Sequence, residues 1–462
     1  MNQVILGADA TEAEDMESAV QIPVDAYISP EYVKLERDKL WRKVWLQAGR
    51  VEDIPKVGSY ITFNILDDSI LIVRASESEI HAFHNVCPHR GRRLVDTPPG
   101  ERNAHGQRAK FFCGYHGWGF DLDGKNNRLP KEEDWKGAVT SGCSGLAKVK
   151  VDVWGGWLWI NMDPDSESLA EYLAPIPEML DPFQLQNMRP RWRQWTIFDC
   201  NWKVALEAFN ELYHVETTHP EFNKFASFPG WGRAQGKHSH IGYDSPKGTD
   251  GNQSAKLRVG TGDARISTAE MVEFTLKNAN TNFTQTLFEA AKRLVDELPE
   301  GTPSSEVLMH WLASAKADDA KRGVFWPDVP SEHVAKSGTS WQVFPNFQIG
   351  HAVNNALCYS ARPYGYDPDK CIFEASVYEL YPEGGAPETE WKFVKNEDWP
   401  YVLLQDFSNM AAVQQGMKSL GFAGARPNPY MERSTSNLHR NLAKYMGIGM
   451  PRKLKGKDGS GG

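Results

Sequence analysis

Two loops that must come together constrain this chain more than any other feature of its sequence. Residues 85–94 read NVCPHRGRRL and residues 111–120 read FFCGYHGWGF, so that Cys87 and His89 are answered by Cys113 and His116. The pattern is C-x-H, 23 intervening residues, then C-x-x-H. Short runs with β character surround it from Gly58 to Met162 (SYITFNI, SILIVRA, IHAFHNV, AKFFCGY, GLAKVKVDVWGGWLWINM), separated by turn residues such as LDD and DLDGK. The spacing predicts an all-β module whose loops carry both Cys/His pairs.

Each pair can turn its side chains toward one point, which is the minimal plan of a metal site. The residues alone leave three readings: a structural zinc, an iron–sulfur cluster, or a chance pairing. Zinc accepts two cysteines and two histidines, but the helix-borne histidine pair at roughly three- to five-residue spacing is missing. A Rieske [2Fe-2S] cluster needs two cysteines on one iron and two histidines on the other, and one of each in both loops allows that split. Gly91, Gly114, Gly117 and Gly119 favour the cluster, because they let backbone N–H groups approach its sulfides.

The rest of the chain is mixed. Residues 29–45 read as an amphipathic helix with Ser29 as N-cap and Pro30 at its first position. Further helices are expected at 167–174, 201–215, 267–298 and 402–418, and strands at 340–363 and 371–381, with a long polar loop at 230–262. The expected division is an N-terminal helical segment (1–40) packing on a catalytic domain, a cluster domain (41–165), the catalytic domain itself (166–450) and a disordered Gly/Lys-rich tail (451–462). A net charge of -9 and a pI near 5.9 argue against nucleic acid or an anionic membrane as the main partner. The first twenty residues hold five acids and neither lysine nor arginine, and no apolar run approaches membrane-spanning length, so a cytoplasmic protein is expected. Six cysteines in such a compartment are metal ligands or buried thiols rather than disulfides.

CPHRG followed by CGYHGWGFDLDG resembles the Rieske loop pair of the large (α) subunits of ring-hydroxylating oxygenases, a family that carries a second, mononuclear iron. The stretch NWKVALEAFNELYHVETTHP, residues 201–220, supplies a candidate for that iron in His214 and His219, which reach one ion if the helix unwinds between them. Two imidazoles and one carboxylate form the facial triad of non-haem Fe(II) oxygenases, leaving positions for O2 and substrate. The resemblance places the carboxylate at Asp406 in LLQDFSNMAAVQQG, with Asp398 as the alternative. It also implies that Glu211 bridges His214 to a cluster histidine of the neighbouring subunit, where aromatic-ring dioxygenases often have Asp. Glu207 is then a buried supporting group, and Ala208 stands where many ring dioxygenases have Asn.

The resemblance implies an α+β fold, with an all-β Rieske domain joined to a helix-grip domain of antiparallel sheet and helices. It implies a head-to-tail homotrimer, α3 or α3β3 if a small β subunit accompanies it. The expected activity is that of the terminal oxygenase of a multicomponent system, in which NADH reduces a separate ferredoxin or flavin reductase. Electrons then pass through the [2Fe-2S] cluster to Fe(II), and O2 hydroxylates an apolar, aromatic substrate, dihydroxylation being the leading expectation. A monooxygenase or demethylase acting on an alicyclic or methylated substrate is the alternative, and a non-catalytic electron carrier is the reading from another class. No GxGxxG fingerprint opens a helix after a strand, so nicotinamide and flavin are expected elsewhere. Phe283, Phe288, Trp311 and Phe347 are candidate pocket residues.

Overall fold

The computed structural model describes residues 18–142, 144–225, 230–243 and 262–455. They fall into two units, residues 34–172 with 364–366, and the remainder of the chain. Each is built on antiparallel strands, as expected of an α+β protein.

The first unit follows from its alternating runs. Strands Leu46–Arg50, Trp157–Asn161, Lys148–Trp154, Ile80–His84, Asp68–Arg74, Ser59–Ile65 and His105–Gln107 are neighbours in that order in a seven-stranded sheet. A small three-stranded sheet, Phe111–Phe112, Gly119–Phe120 and Asn126–Arg128, lies between them in sequence. Leu71, Val73 and Phe83 from the large sheet share one buried cluster with Phe111, Trp118 and Phe120 from the small one. Cys87 and Cys113 belong to that cluster, so the sulfurs sit against the core while their loops face outward.

In the second unit an eight-stranded sheet runs in the order Gly230–Gln235, His238–Tyr243, Ser340–Val343, Phe347–His351, Asn355–Pro363, Cys371–Glu379, Arg189–Phe198 and Trp391–Phe393. Every pairing is antiparallel except the last. The strand Asn355–Pro363 is buried at all nine positions, which a face polar to solvent would not allow. Helix Trp202–Glu207 covers it and packs in turn on helix Tyr401–Met417.

Several expected boundaries move. Residues 230–243, read as loop, form a hairpin, because Gly232 approaches the backbone of Met431 and Arg433 closely and Trp231 is buried; residues 244–261 lie outside the described set. The single helix expected at 267–298 is three, Ala264–Asn278, Gln285–Lys292 and Leu294–Glu297, broken first where Asn280 and Asn282 take left-handed backbone and again at Arg293. The helix expected at 29–45 gives way at Arg37 to a wider turn and ends at Trp41. In the tail read as disordered, Arg452–Lys453 pairs with Val20–Gln21, so the backbone hydrogen bonds of those residues are used; residues 456–462 lie outside the described set.

Arg362 and Glu374 form an ion pair between the two central strands, 1% and 5% exposed. Removing one partner takes this contact from a buried charge in the sheet. Glu374→Ala should therefore destabilise this unit by about 3–5 kcal/mol, read as a lower thermal midpoint and an earlier denaturant transition.

Candidate functional site: two metal centres

The two Cys/His loops are local copies of one another. Cys87 N–H donates to the Arg92 carbonyl and Gly91 N–H to the Cys87 carbonyl; Cys113 N–H donates to the Trp118 carbonyl and Gly117 N–H to the Cys113 carbonyl, all at 2.8–3.0 Å. Gly91 and Gly117 sit at φ +75° and +74°, the left-handed conformation that closes each turn. Their amides are consumed in that closure, which corrects the expectation that these glycines present N–H groups to a cluster. At Cys87 the N–H groups that reach the sulfur are those of His89 and Arg90.

His89 and His116 stand together at the loop tips, ring centroids 4.5 Å apart. His89 stacks on Trp118 at 5.0 Å with the rings nearly parallel, and its Nδ1 is buried without a hydrogen-bond partner. Burial, reinforced by His116 and Arg90, holds the His89 imidazole below its usual pKa and so in the neutral form that a metal requires. Burial pushes the Cys87 thiol up, and the thiol of Cys113 lies beside it. A single tetrahedral zinc would draw all four donor atoms within about 4 Å of one another. Among the described residues, the one group of His, Cys, Asp or Glu donors that meets within 4.8 Å is elsewhere. The orphaned Nδ1, the paired thiols and the wider spacing fit a two-iron cluster.

That other group is His214, His219 and Asp406. Five residues on a regular helix lie about 140° apart, so two such histidines cannot share a face. The chain leaves the helix of Trp202–Glu207 before His214, and helical geometry is given up again at His219 itself. The helix ends at Glu207, residues 208–214 are irregular, and one short helical turn, Val215–Thr218, separates the ligands. Glu211 replaces the lost helical bonds, its carboxylate accepting the backbone N–H groups of Tyr213 and His214. His219 leaves the turn with φ -120° and ψ 60° and swings back toward His214.

Hydrogen bonds fix the tautomers. His214 Nδ1 donates to Glu211 Oε1 at 2.5 Å, which leaves Nε2 facing Asp406. His219 Nδ1 donates to Gln405 Oε1 at 2.9 Å, with Nε2 2.9 Å from Asp406 Oδ1. The Gln405 amide is oriented by Glu221, which accepts from its Nε2 at 3.1 Å, and Tyr401 also donates to Glu221 at 2.8 Å. Thus both ring nitrogens turned to the carboxylate can bind an ion once His214 gives up its second proton, each ring backed by an acceptor. Gln405, Tyr401 and Glu221 escaped the sequence reading, although Gln405 adjoins Asp406 and Tyr401 lies one helical turn earlier. Asp398, the alternative carboxylate, is exposed in a separate turn and is not in the group.

Glu207 points elsewhere, accepting from Tyr27 at 3.0 Å and meeting His439 Nε2 at 2.6 Å. A cavity of about 490 Å³ opens on the three donors. Phe209, Leu212, Val215, Phe222, Leu357 and Leu403 supply much of its wall, and no lysine or arginine is among its described lining residues. Of the candidate pocket residues Phe283 lines it. Trp311 is buried in a helical core with Phe288 packed against it, and Phe347 is buried in the sheet, because the helices they occupy and the strand they serve need those rings for packing.

Two family models match the chain: a Rieske [2Fe-2S] domain over residues 44–148 and a ring-hydroxylating α subunit catalytic domain over residues 185–448. The glycine betaine monooxygenase oxygenase subunit of Chromohalobacter salexigens is 26% identical over 88% of this chain and 81% of that protein. The biphenyl 2,3-dioxygenase α subunit of Rhodococcus jostii is 31% identical over 46% of this chain and 45% of that one. A crystal structure of a quaternary ammonium Rieske monooxygenase with L-carnitine superposes with a TM-score of 0.61, at 18% identity over 94% of this chain and 97% of that chain.

Two predictions follow from the trio. Burial pulls the His214 imidazolium down, but its bonds to Asp406 and Glu211 more than offset this and push its pKa up to about 10. The metal-free site is therefore protonated at neutral pH, an entering ion displaces one proton, and Co(II) affinity of iron-stripped protein should rise about tenfold per pH unit below pH 10. His214→Ala should abolish mononuclear metal binding and turnover while the visible spectrum of the cluster stays; loss of the brown colour would place His214 at the wrong centre. Both family models and both donor sets lead to the same conclusion: the chain belongs to the ring-hydroxylating oxygenase α subunits, Rieske non-haem iron oxygenases that carry a [2Fe-2S] cluster and a mononuclear iron.

Proposed function

We propose that this terminal oxygenase performs monooxygenation of an apolar substrate, either hydroxylating it or removing a methyl group by hydroxylation. Cys87, His89, Cys113 and His116 hold the cluster, and His214, His219 and Asp406 hold the iron. Glu211 links His214 to the cluster of a neighbouring subunit in a homotrimer. A separate ferredoxin or flavin reductase delivers the electrons. When bound, the cluster stores an electron and the iron activates O2, while the protein orients substrate and excludes water.

The observation that carries this reading is the apolar cavity facing the three donors. A betaine or carnitine carboxylate would need a cation in such a chamber, and the described lining offers none. Monooxygenation is supported by the relative that spans most of the chain, a monooxygenase. Dihydroxylation of an aromatic ring is the second reading, favoured by the rings of Phe209, Phe222, Phe283 and Tyr359, which could stack a planar substrate.

The test is turnover with a surrogate NADH-dependent reductase under ¹⁸O₂, against alicyclic, aromatic, methylated apolar and betaine compounds. One labelled oxygen in an apolar product is expected; two would favour the second reading, and turnover confined to betaines would overturn both. Glu211→Gln should keep both metal centres and slow electron transfer from cluster to iron by about 10²-fold or more, and unchanged transfer would remove Glu211 from the path.

A further inference from the structure

A second cavity, of about 260 Å³, lies against the same site, sharing Ala208, Glu211 and Asp406 with the first. Its character is different. Glu207, Asn409, Arg426, Glu432 and Thr435 form a polar side to a wall that also carries Val204, Met410, Val413 and Met417, and that side has both the room and the partners for waters. Net oxygenation, R–H + O2 + 2e⁻ + 2H⁺ → R–OH + H2O, draws electrons from the reductase but also consumes two protons. The apolar substrate chamber cannot supply them.

We propose that Glu432 is the proton donor of this enzyme, passing protons through the waters of the polar cavity to the oxygen being reduced at the metal site. This rests on the oxygenase reading and holds for monooxygenation and dihydroxylation alike. The other acids at the cavity are committed: Glu207 to Tyr27 and His439, Glu211 to His214 and two backbone N–H groups, and Asp406 to His214 and His219. Glu432 carries a single hydrogen bond to its carboxylate among the described residues, from the Asn428 N–H at 2.5 Å. It occupies the N-cap position of helix Arg433–Met446, whose N-terminal end favours a carboxylate, without making a side-chain capping bond. Burial outweighs this and the Asn428 N–H, Glu211 and Glu207 add to the rise and His214 opposes it, and the pKa is pushed up to about 7. Among the described residues, Tyr27, Arg426 and Asp406 are further charged or titratable groups beside it or in the same cavity. The carboxyl thus exchanges its proton readily near neutrality, and the donor form is lost as pH rises.

Two readouts test the proposal. Infrared difference spectra of the iron-loaded protein should show a protonated carboxyl band that titrates near pH 7 and is absent from Glu432→Gln. Reoxidation of the reduced protein by O2, followed at the cluster absorbance, should slow roughly tenfold or more in Glu432→Gln, lose its solvent deuterium effect and partly recover in Glu432→Asp, at unchanged iron and sulfide content. Absence of a band due to Glu432, or a Gln variant with wild-type rate and isotope effect, overturns it. Should the Gln variant fail to load iron, the wild-type band and its shift in Glu432→Asp decide the matter. A wild-type protein that O2 does not reoxidise would sink the oxygenase reading instead, leaving Glu432 to the infrared titration.

Discussion

The catalytic centre depends on a helix that is made to stop. Had residues 202–219 continued as one helix, His214 and His219 would diverge by more than a third of a turn, and no ion could take both. Glu211 makes the break affordable by accepting the N–H groups of Tyr213 and His214, which would otherwise be left without helical partners. The same carboxylate then holds His214 Nδ1 and so chooses the tautomer that frees Nε2. One side chain thereby sets the backbone path, the ring orientation and the protonation state of a ligand. A shorter Asp would have less reach for three such partners, which gives Glu a local reason to be here beyond any bridge to another subunit.

The break also divides space. Ala208, immediately after the helix ends, is small enough to leave room on both sides, and two cavities meet at Ala208, Glu211 and Asp406. Asp406 is placed from below by Phe407, which packs edge-on against Phe198 at 4.6 Å and near Phe373 at 5.6 Å, so its helix is anchored to the sheet by aromatic contact. The substrate side is walled largely by aliphatic and aromatic groups, whereas the opposite side sets acids, an asparagine and an arginine among its aliphatic groups. Oxygen chemistry on a greasy molecule needs both environments within reach of one ion, because hydrocarbon must displace water where it reacts while protons must still arrive.

How much of this the sequence disclosed depended on whether the signal was local. Cys87, His89, Cys113 and His116 were legible because each pair is a few residues long and both lie in turns marked by glycine. His214, His219 and Asp406 were legible only through resemblance, since nothing in the spacing of residues 219 and 406 announces that they meet. The partition of the 267–298 region into three helices was missed because its apolar residues keep helical spacing across the break, and only the left-handed Asn280 and Asn282 reveal it. The 230–243 hairpin was hidden by its glycines, which read as loop but serve close approach: a Cβ on Gly232 would lie 3.1 Å from the Met431 carbonyl oxygen. The support given to His219 by Gln405 involves a neutral amide nearly two hundred residues away, and neutral amides carry no distinctive pattern.

The cluster loops show the opposite economy, a device built twice from short sequence. In each, a cysteine N–H and carbonyl close a turn on the fourth and fifth residues beyond, and a left-handed glycine makes the closure possible. The sulfurs are thereby pinned on the core side with Phe111, Trp118 and Phe120, while the histidines are carried outward on the same turns. Burial that pushes the Cys87 thiol up opposes a bare thiolate there, so loading a metal must expel that proton from an apolar seat. The outward histidines, by contrast, are the part of the centre that another molecule could touch. A cluster bound here would be held by sulfur on the core side and by imidazole on the outer side, so the fold would turn its histidine side toward the surface.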